Sequence, residues 1–307
     1  MNSEYFRVSP VKGRQIEIMK AKVITDSGSG LSREQAEKLG MGFLPLQVII
    51  NEKSYRDGVD LDIPTLYEAM RSSAMPTTSQ PLLYDVEELF DQYNEEGVTD
   101  LILITLSNGL SGTNANVQAA AARHNLKVHT LDLYTTLYIE KYAAIAAQQL
   151  LEQGKGPEEI IGILKDAIDT SAGYLIVEDL DHLAAGGRLT PMAAKLGGLL
   201  KIKPILEVSK NTEGRVDVYD KVRTFVRAQK KAVEHMKETM DPEMDYVFFV
   251  LNGDNDEGTE NAQKLLKEAF GEDIEIHVDP MYAVIAAHTG LGSVGMQYIR
   301  RIEGVQL

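Results

Sequence analysis

The sequence predicts an α/β protein with two domains, the first built on a parallel sheet and the second on a mixed sheet. The 307 residues are about twice the usual length of one domain. Strand and helix patterns alternate from residue 22 to about residue 168, which is typical of a parallel sheet covered by helices. A hairpin pattern after residue 200 breaks this alternation, so we expect the second sheet to be mixed.

Local residues indicate where several predicted elements of the first half begin or end. Ser32 is placed to cap a helix that Gly40 ends, and Pro157 suits the first position of a helix because its missing N–H is not needed there. In chain order the predicted elements are strand Lys22–Thr25, helix 33–39, strand Phe43–Ile50, helix Tyr84–Asn94, strand Leu101–Leu106, helix Thr113–Arg123, strand Lys127–Leu131, helix Thr135–Gln153 and a helix from Pro157. Parallel strands end at one edge, so Asp26 and the loop after Leu106 should meet there.

The second half is predicted to combine a hairpin with alternating helices and strands. Residues 211–214 read Asn-Thr-Glu-Gly, a turn between two apolar segments. The predicted elements are strands Ile202–Val208 and Val216–Val218, helix Lys221–Thr239, strand Tyr246–Leu251, helix Thr259–Ala269 and strand Ile274–Val278, with the helices on one face of the sheet. We predict a flexible leader over residues 1–18, an N-terminal domain over 19–180 and a C-terminal domain over 181–307.

Composition excludes several function classes. The 31 basic and 46 acidic side chains give a net charge of −15, which disfavours a surface for nucleic acid. The absence of Cys excludes disulfides, thiolate catalysis and Cys-based zinc sites, and the six His lack metal-ligand spacing. The longest apolar runs are strand-sized and no signal-peptide pattern is present. We therefore expect a cytoplasmic protein with no metal, no cofactor and no stable membrane insertion.

Two enzyme-like motifs are incomplete. Gly290–Gly295 matches the dinucleotide-binding pattern, but the 12 residues that follow cannot build the βαβ unit that the pattern requires. The segment Gly109–Thr113 resembles a nucleophile elbow, except that Thr113 stands where its last Gly should be. Neither motif therefore identifies an enzyme.

Four other segments supply groups that could hold an anion. Residues 76–81 place hydroxyls and an amide between two prolines, and residues 107–113 lead into a helix N-terminus. Arg188 follows two glycines, and His288 ends an apolar run before a glycine turn. Each has an ordinary alternative: a turn, a helix cap, a surface ion pair or a structural histidine. Together they suit binding of an anion better than bond cleavage.

The order of these motifs resembles the DegV family of bacterial fatty-acid-binding proteins. The segments that carry the resemblance are Ile24–Ser27, Pro76–Pro81, Ser107–Thr113, Gly186–Arg188, Lys203–Leu206 and His288–Gly292. The resemblance implies two α/β domains with one long-chain fatty acid buried between them, and no catalytic residues of the chain's own. It also implies that the carboxylate is presented to a separate ATP-binding fatty acid kinase subunit. The residues that it assigns to the carboxylate are Thr78, Ser79, Ser107, Asn108, Ser111, Arg188 and His288.

Two departures from the family pattern leave alternatives open. Asn108 stands where the family commonly has Ser, and Leu291 stands where it commonly has Pro. These changes affect the head-group geometry and could change the ligand. One alternative is a carrier or sensor of another hydrophobic carboxylic acid without kinase coupling. The other is a serine esterase that uses Ser111 and His288. The basic residues of 221–231 fit either a kinase-docking face or a solvated helix face.

Overall fold

A computed structural model describes residues 19–178, 180–194 and 202–307. The predicted leader over residues 1–18 lies outside this part of the chain. The first half contains β1 Ala21–Asp26, α1 Arg33–Lys38, β2 Gly42–Leu44, β3 Gln47–Ile50, β4 Lys53–Arg56, α2 Ile63–Arg71, β5 Thr77–Ser79, α3 Leu83–Glu95, β6 Asp100–Ile104, α4 Thr113–Arg123, β7 Lys127–Thr130, α5 Tyr138–Glu152 and α6 Pro157–Ile168. The second half contains β8 Ala172–Ile176, α7 Asp181–Gly186, α8 Pro191–Ala194, β9 Lys203–Ser209, β10 Asp217–Val222, α9 Phe225–Thr239, β11 Tyr246–Gly253, α10 Asp256–Phe270, β12 Ile276–Pro280, α11 Ala283–Thr289 and β13 Ser293–Arg300.

The predicted parallel sheet is confirmed, with strand order β2-β1-β6-β7. The carboxyl ends of β1 and β6 lie side by side, and the amide of Leu106 donates to Asp26 Oδ2 at 3.2 Å. Ser32 caps α1 as predicted, in a reciprocal capping box with Gln35. The edge expected to carry Asp26 and the loop after Leu106 therefore forms.

One predicted strand, Phe43–Ile50, is wrong. It is two strands in two sheets: β2 joins the parallel sheet, while β3 lies in a small antiparallel sheet of order β4-β3-β5. Pro45 lies between them and has no N–H to continue a ladder. This small sheet contains Thr78, which pairs with Val48.

The second sheet has six strands in the order β10-β9-β8-β13-β11-β12, and of its pairs only β11–β12 is parallel. The predicted mixed sheet and its hairpin of β9 and β10 are confirmed. The helix predicted over Lys221–Thr239 begins instead at Phe225, after the Thr224 cap, because β10 continues to Val222. Strand β8 precedes residue 180 yet pairs inside this sheet, which favours a domain division between α6 and β8.

The two sheets share the largest of three hydrophobic clusters formed by the described residues. Alternate residues of β6 divide between the two sides of the parallel sheet: Leu101 and Leu103 pack with α3 and α4, while Ile102 and Ile104 face the shared cluster. Helices α9 and α10 cover the outer face of the six-stranded sheet. Its inner face packs on α5 and α6, where the Tyr138 ring stacks on Phe249 at 4.3 Å. Helices thus cover both faces, not one face as predicted.

A buried glutamine ties the six-stranded sheet to the start of α5. Gln297 Oε1 on β13 accepts hydrogen bonds from the amides of Tyr138 at 3.0 Å and Ile139 at 3.4 Å. Its amide nitrogen donates to Thr136 O at 2.9 Å and Thr135 Oγ1 at 3.2 Å. Helix α5 has no side-chain cap from its own N-cap residue. Gln297 supplies that cap from the other sheet, and α5 begins at Tyr138 instead of the predicted Thr135.

The substitution Gln297→Ala should lower the free energy of unfolding by about 2–4 kcal/mol. It leaves two buried helix amides without an acceptor, and each such loss costs about 1–3 kcal/mol. Urea titration followed by circular dichroism measures the change. Gln92→Ala, an exposed glutamine on α3, is the matched control and should stay within about 0.5 kcal/mol of the wild type. Equal effects of the two variants would contradict the capping role.

Candidate functional site

A cavity of about 530 Å³ lies in the core between the two sheets. This volume is within the usual range of about 300–1,000 Å³ for small-molecule sites. Most of its wall is aliphatic, formed by Leu46, Leu106, Leu110, Leu137, Leu175, Leu183, Val208, Val216, Val284 and Ile285. Leu82 and Leu83 also line it while 48% and 60% exposed, so the cavity approaches the surface beside the start of α3.

The structure brings five of the predicted site residues into the wall of this cavity. They are Thr78, Ser79, Ser111, Arg188 and His288. They come from four separate segments: β5, the loop before α4, the turn after α7, and α11. The fold thus places hydroxyls, an imidazole and a guanidinium against an otherwise apolar space.

The central contact of this group joins Thr78 and His288. Thr78 Oγ1 lies 2.7 Å from His288 Nε2, across 210 positions of the sequence. Burial is the main cause that lowers the pKa of His288 to about 4, and the neighbouring Arg188 and His182 act in the same direction. The imidazole is therefore neutral at pH 7 and acts through hydrogen bonds, not through a charge.

The Nδ1 edge of the His288 ring packs against Gly186. His288 Nδ1 is buried without a hydrogen-bond partner among the described residues, and a Cβ built on Gly186 would lie 2.1 Å from it. Any larger residue at position 186 would displace the ring. The carbonyl of Gly186 accepts a hydrogen bond from Arg188, whose Nε also donates to Leu110 O at 3.4 Å. Arg188 thereby connects the turn after α7 to the loop before α4.

The Ser111 hydroxyl forms hydrogen bonds with the first residue of α4. Its Oγ lies 2.8 Å from Thr113 Oγ1 and accepts the Thr113 amide at 3.2 Å. The nearest imidazole of the cavity, His288, is instead bonded to Thr78. In the part of the chain that the structure describes, no general base is therefore in hydrogen-bond contact with Ser111.

Ser107 and Asn108 are not among the residues of the cavity wall. The Ser107 hydroxyl is fully buried and accepts the Gly109 amide at 3.0 Å, while its own amide donates to Thr135 O at 2.8 Å. Asn108 is exposed, and its amide donates to Asp132 Oδ1 at 3.3 Å. In this structure both residues shape the loop that carries Ser111.

The polar residues of the wall that were missed at the sequence level include Thr135 and Gln297. Thr135 and Gln297 line the cavity and bond to each other. Gln297 lies in β13, two positions after the Gly290–Gly295 motif, and that motif does not mark it as a site residue. Thr135 lies in a segment that reads as the start of a helix. Both residues reach the cavity wall only because β13 packs on α5.

Three buried acids lie beside the cavity. Burial raises the pKa of Asp26 to about 6 and that of Asp57 to about 7. Burial and the neighbouring Asp26 raise the pKa of Glu140 well above its ordinary value. The backbone of Gly28 packs on this pair, since a Cβ there would lie 2.6 Å from Glu140 Oε2. Asp26 and Glu140 thus form a hydrogen-bonded pair in which burial favours the protonated form of both acids.

Neither a candidate metal cluster nor a membrane-spanning helix is found among the described residues. Among residues 19–178, 180–194 and 202–307, no group of three His, Cys, Asp or Glu side chains is placed to hold a metal ion. No helix in those ranges has the length and apolar character to cross a bilayer.

The fold and cavity together define a class: a two-domain α/β protein with a mostly apolar internal site and one polar group in its wall. Residues 20–301 match the model of a family described as "Uncharacterised protein, DegV family". The chain is 33% identical to DegV domain-containing protein SA0704 of Staphylococcus aureus (strain N315) over 290 residues, which cover 92% of this chain and 98% of the relative. The chain belongs to the DegV family, as its motifs predicted.

Solved structures show the same fold. A fatty acid binding DegV family protein, SAG1342 from Streptococcus agalactiae, is 29% identical and superposes with a TM-score of 0.83, covering 92% of this chain and 100% of the other. DegV of Bacillus subtilis, described as a fatty acid binding protein, is 31% identical with a TM-score of 0.79, and the match covers 92% of this chain and 100% of that one.

The substitution Gly186→Ala should destabilise the protein by about 1–3 kcal/mol and displace the His288 ring, because its Cβ has no room. Gly162→Ala in α6 is the matched control: both glycines are helical, and a Cβ at Gly162 meets nothing within 4 Å. There Ala should stabilise by up to about 1 kcal/mol. Thermal unfolding measures both changes. A stabilising Gly186→Ala would refute the close contact.

Proposed function

We propose that the protein binds one long-chain fatty acid in the cavity and presents its carboxylate to a separate ATP-dependent fatty acid kinase subunit. The single observation that carries the binding proposal is the Thr78–His288 pair in the wall of a mostly apolar cavity. Family membership, together with relatives described as fatty acid binding proteins, supports this choice of ligand. The chain itself acts as a ligand-binding subunit in the cytoplasm, without catalytic residues of its own.

The apolar wall supplies the affinity. Burial of about 14 methylenes at about 0.8 kcal/mol each gives about 11 kcal/mol of gross driving force. Ordering the chain and immobilising the ligand remove several kcal/mol of this. The balance corresponds to dissociation constants between nanomolar and micromolar.

The polar group offsets the cost of burying the carboxylate. With its proton on Nε2, neutral His288 donates to Thr78 Oγ1, and the Thr78 hydroxyl hydrogen is then directed to the ligand. Ser79 and Ser111 add hydroxyl donors, and half-buried Arg188 supplies positive charge nearby. Since each donor replaces a lost hydrogen bond to water, this group fixes orientation more than it adds affinity. Ser107 and Asn108 support the loop in this proposal and do not contact the carboxylate.

The half-exposed leucines at the start of α3 offer the route to a partner. Leu82 and Leu83 line the cavity and are also open to solvent, and Tyr84 beside them is 70% exposed. An apolar surface at a cavity mouth is typical of a docking or entry region. We propose that the kinase subunit approaches there.

The esterase alternative lacks support from the geometry. Ser111 bonds to Thr113, and His288 bonds to Thr78, so no nucleophile–base pair is formed. A binding protein should release no burst of product from an activated ester. A carrier of another hydrophobic acid remains an outcome of the ligand experiment below.

Native mass spectrometry of the purified protein, followed by lipid extraction, should identify one bound fatty acid per chain. Thr78→Val keeps the shape but removes the hydroxyl, and should weaken fatty acid binding about tenfold or more, since a buried acceptor loses its donor. Thr77→Val, on the same strand and exposed, is the control and should bind like the wild type. A different co-purified acid, or no uptake of added fatty acid, would contradict the ligand. Equal affinities of the two variants would contradict the role of Thr78.

The kinase proposal has its own test. Fatty-acid-loaded protein, ATP and a fatty acid kinase subunit should form an acyl phosphate, and His288→Ala should reduce its formation. Binding without any ATP-dependent product would support a carrier or sensor and contradict kinase coupling.

A further inference from the structure

Helix α11 is held at its N-terminus by a side chain from a distant part of the chain. Its own N-cap residue makes no side-chain cap. The amide of Val284 instead donates to Asp57 Oδ2 at 3.2 Å, across 227 positions of the sequence. Asp57 directly follows β4 and is only 6% exposed.

The same small sheet also holds the other end of α11. Strand β5 places Thr78 against His288, which lies in the last turn of the helix. Strand β3 pairs with both β4 and β5, so the two contacts belong to one rigid unit. Seven helical residues span about 10 Å. A shift at the Asp57 end is therefore transmitted along α11 to the His288 ring.

Asp57 is itself fixed on several sides. Its amide donates to Leu46 O at 2.9 Å, and its carboxylate accepts the Ser27 hydroxyl. Ser27 Oγ in turn accepts the Leu46 amide at 3.1 Å, and Leu46 lines the cavity. The carboxylate thus joins the end of β1, the small sheet and α11.

We propose that Asp57 is a positioning residue for ligand binding. Through α11 it positions the His288 ring against Thr78 and so increases the affinity for the carboxylate. This inference rests on the proposed function. Asp57 touches no ligand in this account. An ionised carboxylate is the stronger acceptor and complements the positive end of the helix, so the cap is strongest when Asp57 is charged.

The charge of Asp57 changes near neutral pH. Burial is the main cause that raises the pKa of this carboxyl to about 7, and Asp26, at the end of β1, acts in the same direction. Asp26 is paired with Glu140 of α5, while on α11 the titratable group is His288, which is neutral above about pH 4. Because the folded pKa is above the unfolded value, the burial of Asp57 lowers stability progressively as the pH rises from about 4 to 7. Affinity and stability should therefore respond to Asp57 in opposite directions.

The test compares Asp57→Asn with Asp60→Asn, the same change at an exposed aspartate bonded to Arg56. At pH 8, Asp57→Asn should weaken palmitate binding about fivefold while its free energy of unfolding equals or exceeds that of the wild type. The ratio of the two affinities should shrink toward one at pH 5.5. Asp60→Asn should change neither quantity. A purely structural role would lower stability and affinity together.

A ligand-free readout separates this inference from the proposed function. Two-bond ¹H–¹⁵N NMR reports the tautomer and hydrogen bonding of His288. Its ring resonances should move in Asp57→Asn, and in the wild type they should shift between pH 6 and 8 although His288 itself does not titrate there. Unmoved resonances, or equal palmitate affinity of Asp57→Asn and wild type, would overturn the inference. If the wild type takes up no fatty acid, the proposed function fails, and the resonances alone decide whether Asp57 positions His288.

Discussion

The core shared by the two sheets has to stay open, and the rest of the structure depends on this constraint. Protein interiors are normally close-packed, so a cavity of about 530 Å³ persists only if its walls are held apart. Buried hydrogen bonds hold the walls of the cavity apart. Gln297 fixes the start of α5 to β13, and Asp26 fixes the loop after β6 through the Leu106 amide. Their hydrogen bonds have strict geometry, so the walls cannot relax inward as purely aliphatic walls can.

The buried acids also suit a site for an anion in a chain of net charge −15. Thr136 and Leu106 line the cavity, and each donates a hydrogen bond to the Asp26–Glu140 pair: the Thr136 hydroxyl to Glu140 and the Leu106 amide to Asp26. Burial favours the protonated form of both acids, which reduces their repulsion of a carboxylate in the cavity. The destabilising effect of burying these two acids appears at higher pH. Because both folded pKa values are raised, this contribution to stability is complete below about pH 4 and is lost as the pH rises through them.

The sequence predicted the helix and turn positions correctly where a local cap, proline or turn residue indicates them. The Ser32 cap, Pro157 and the hairpin at Asn211 all lie where the structure has them. The prediction failed where tertiary contacts decide. Phe43–Ile50 reads as one strand, and only Pro45 separates the two sheets to which it contributes. At the site, hydroxyls, Arg188 and His288 stand in recognisable motifs. The contact of Asp57 with Val284 and those of Gln297 with the start of α5 join residues more than 100 positions apart, which no local pattern can show.

The central claim is that a fatty acid carboxylate lies against Thr78 and His288. It is tested most directly by ¹³C NMR of [1-¹³C]palmitate bound to the wild type and to Thr78→Val. The account predicts one bound carboxyl resonance in the wild type that stays ionised at pH 5 to 6, because hydroxyl donors and Arg188 stabilise its charged form. In Thr78→Val the resonance should shift and titrate at a higher pH. Identical spectra and titrations of the two proteins would place the carboxylate elsewhere and contradict the account.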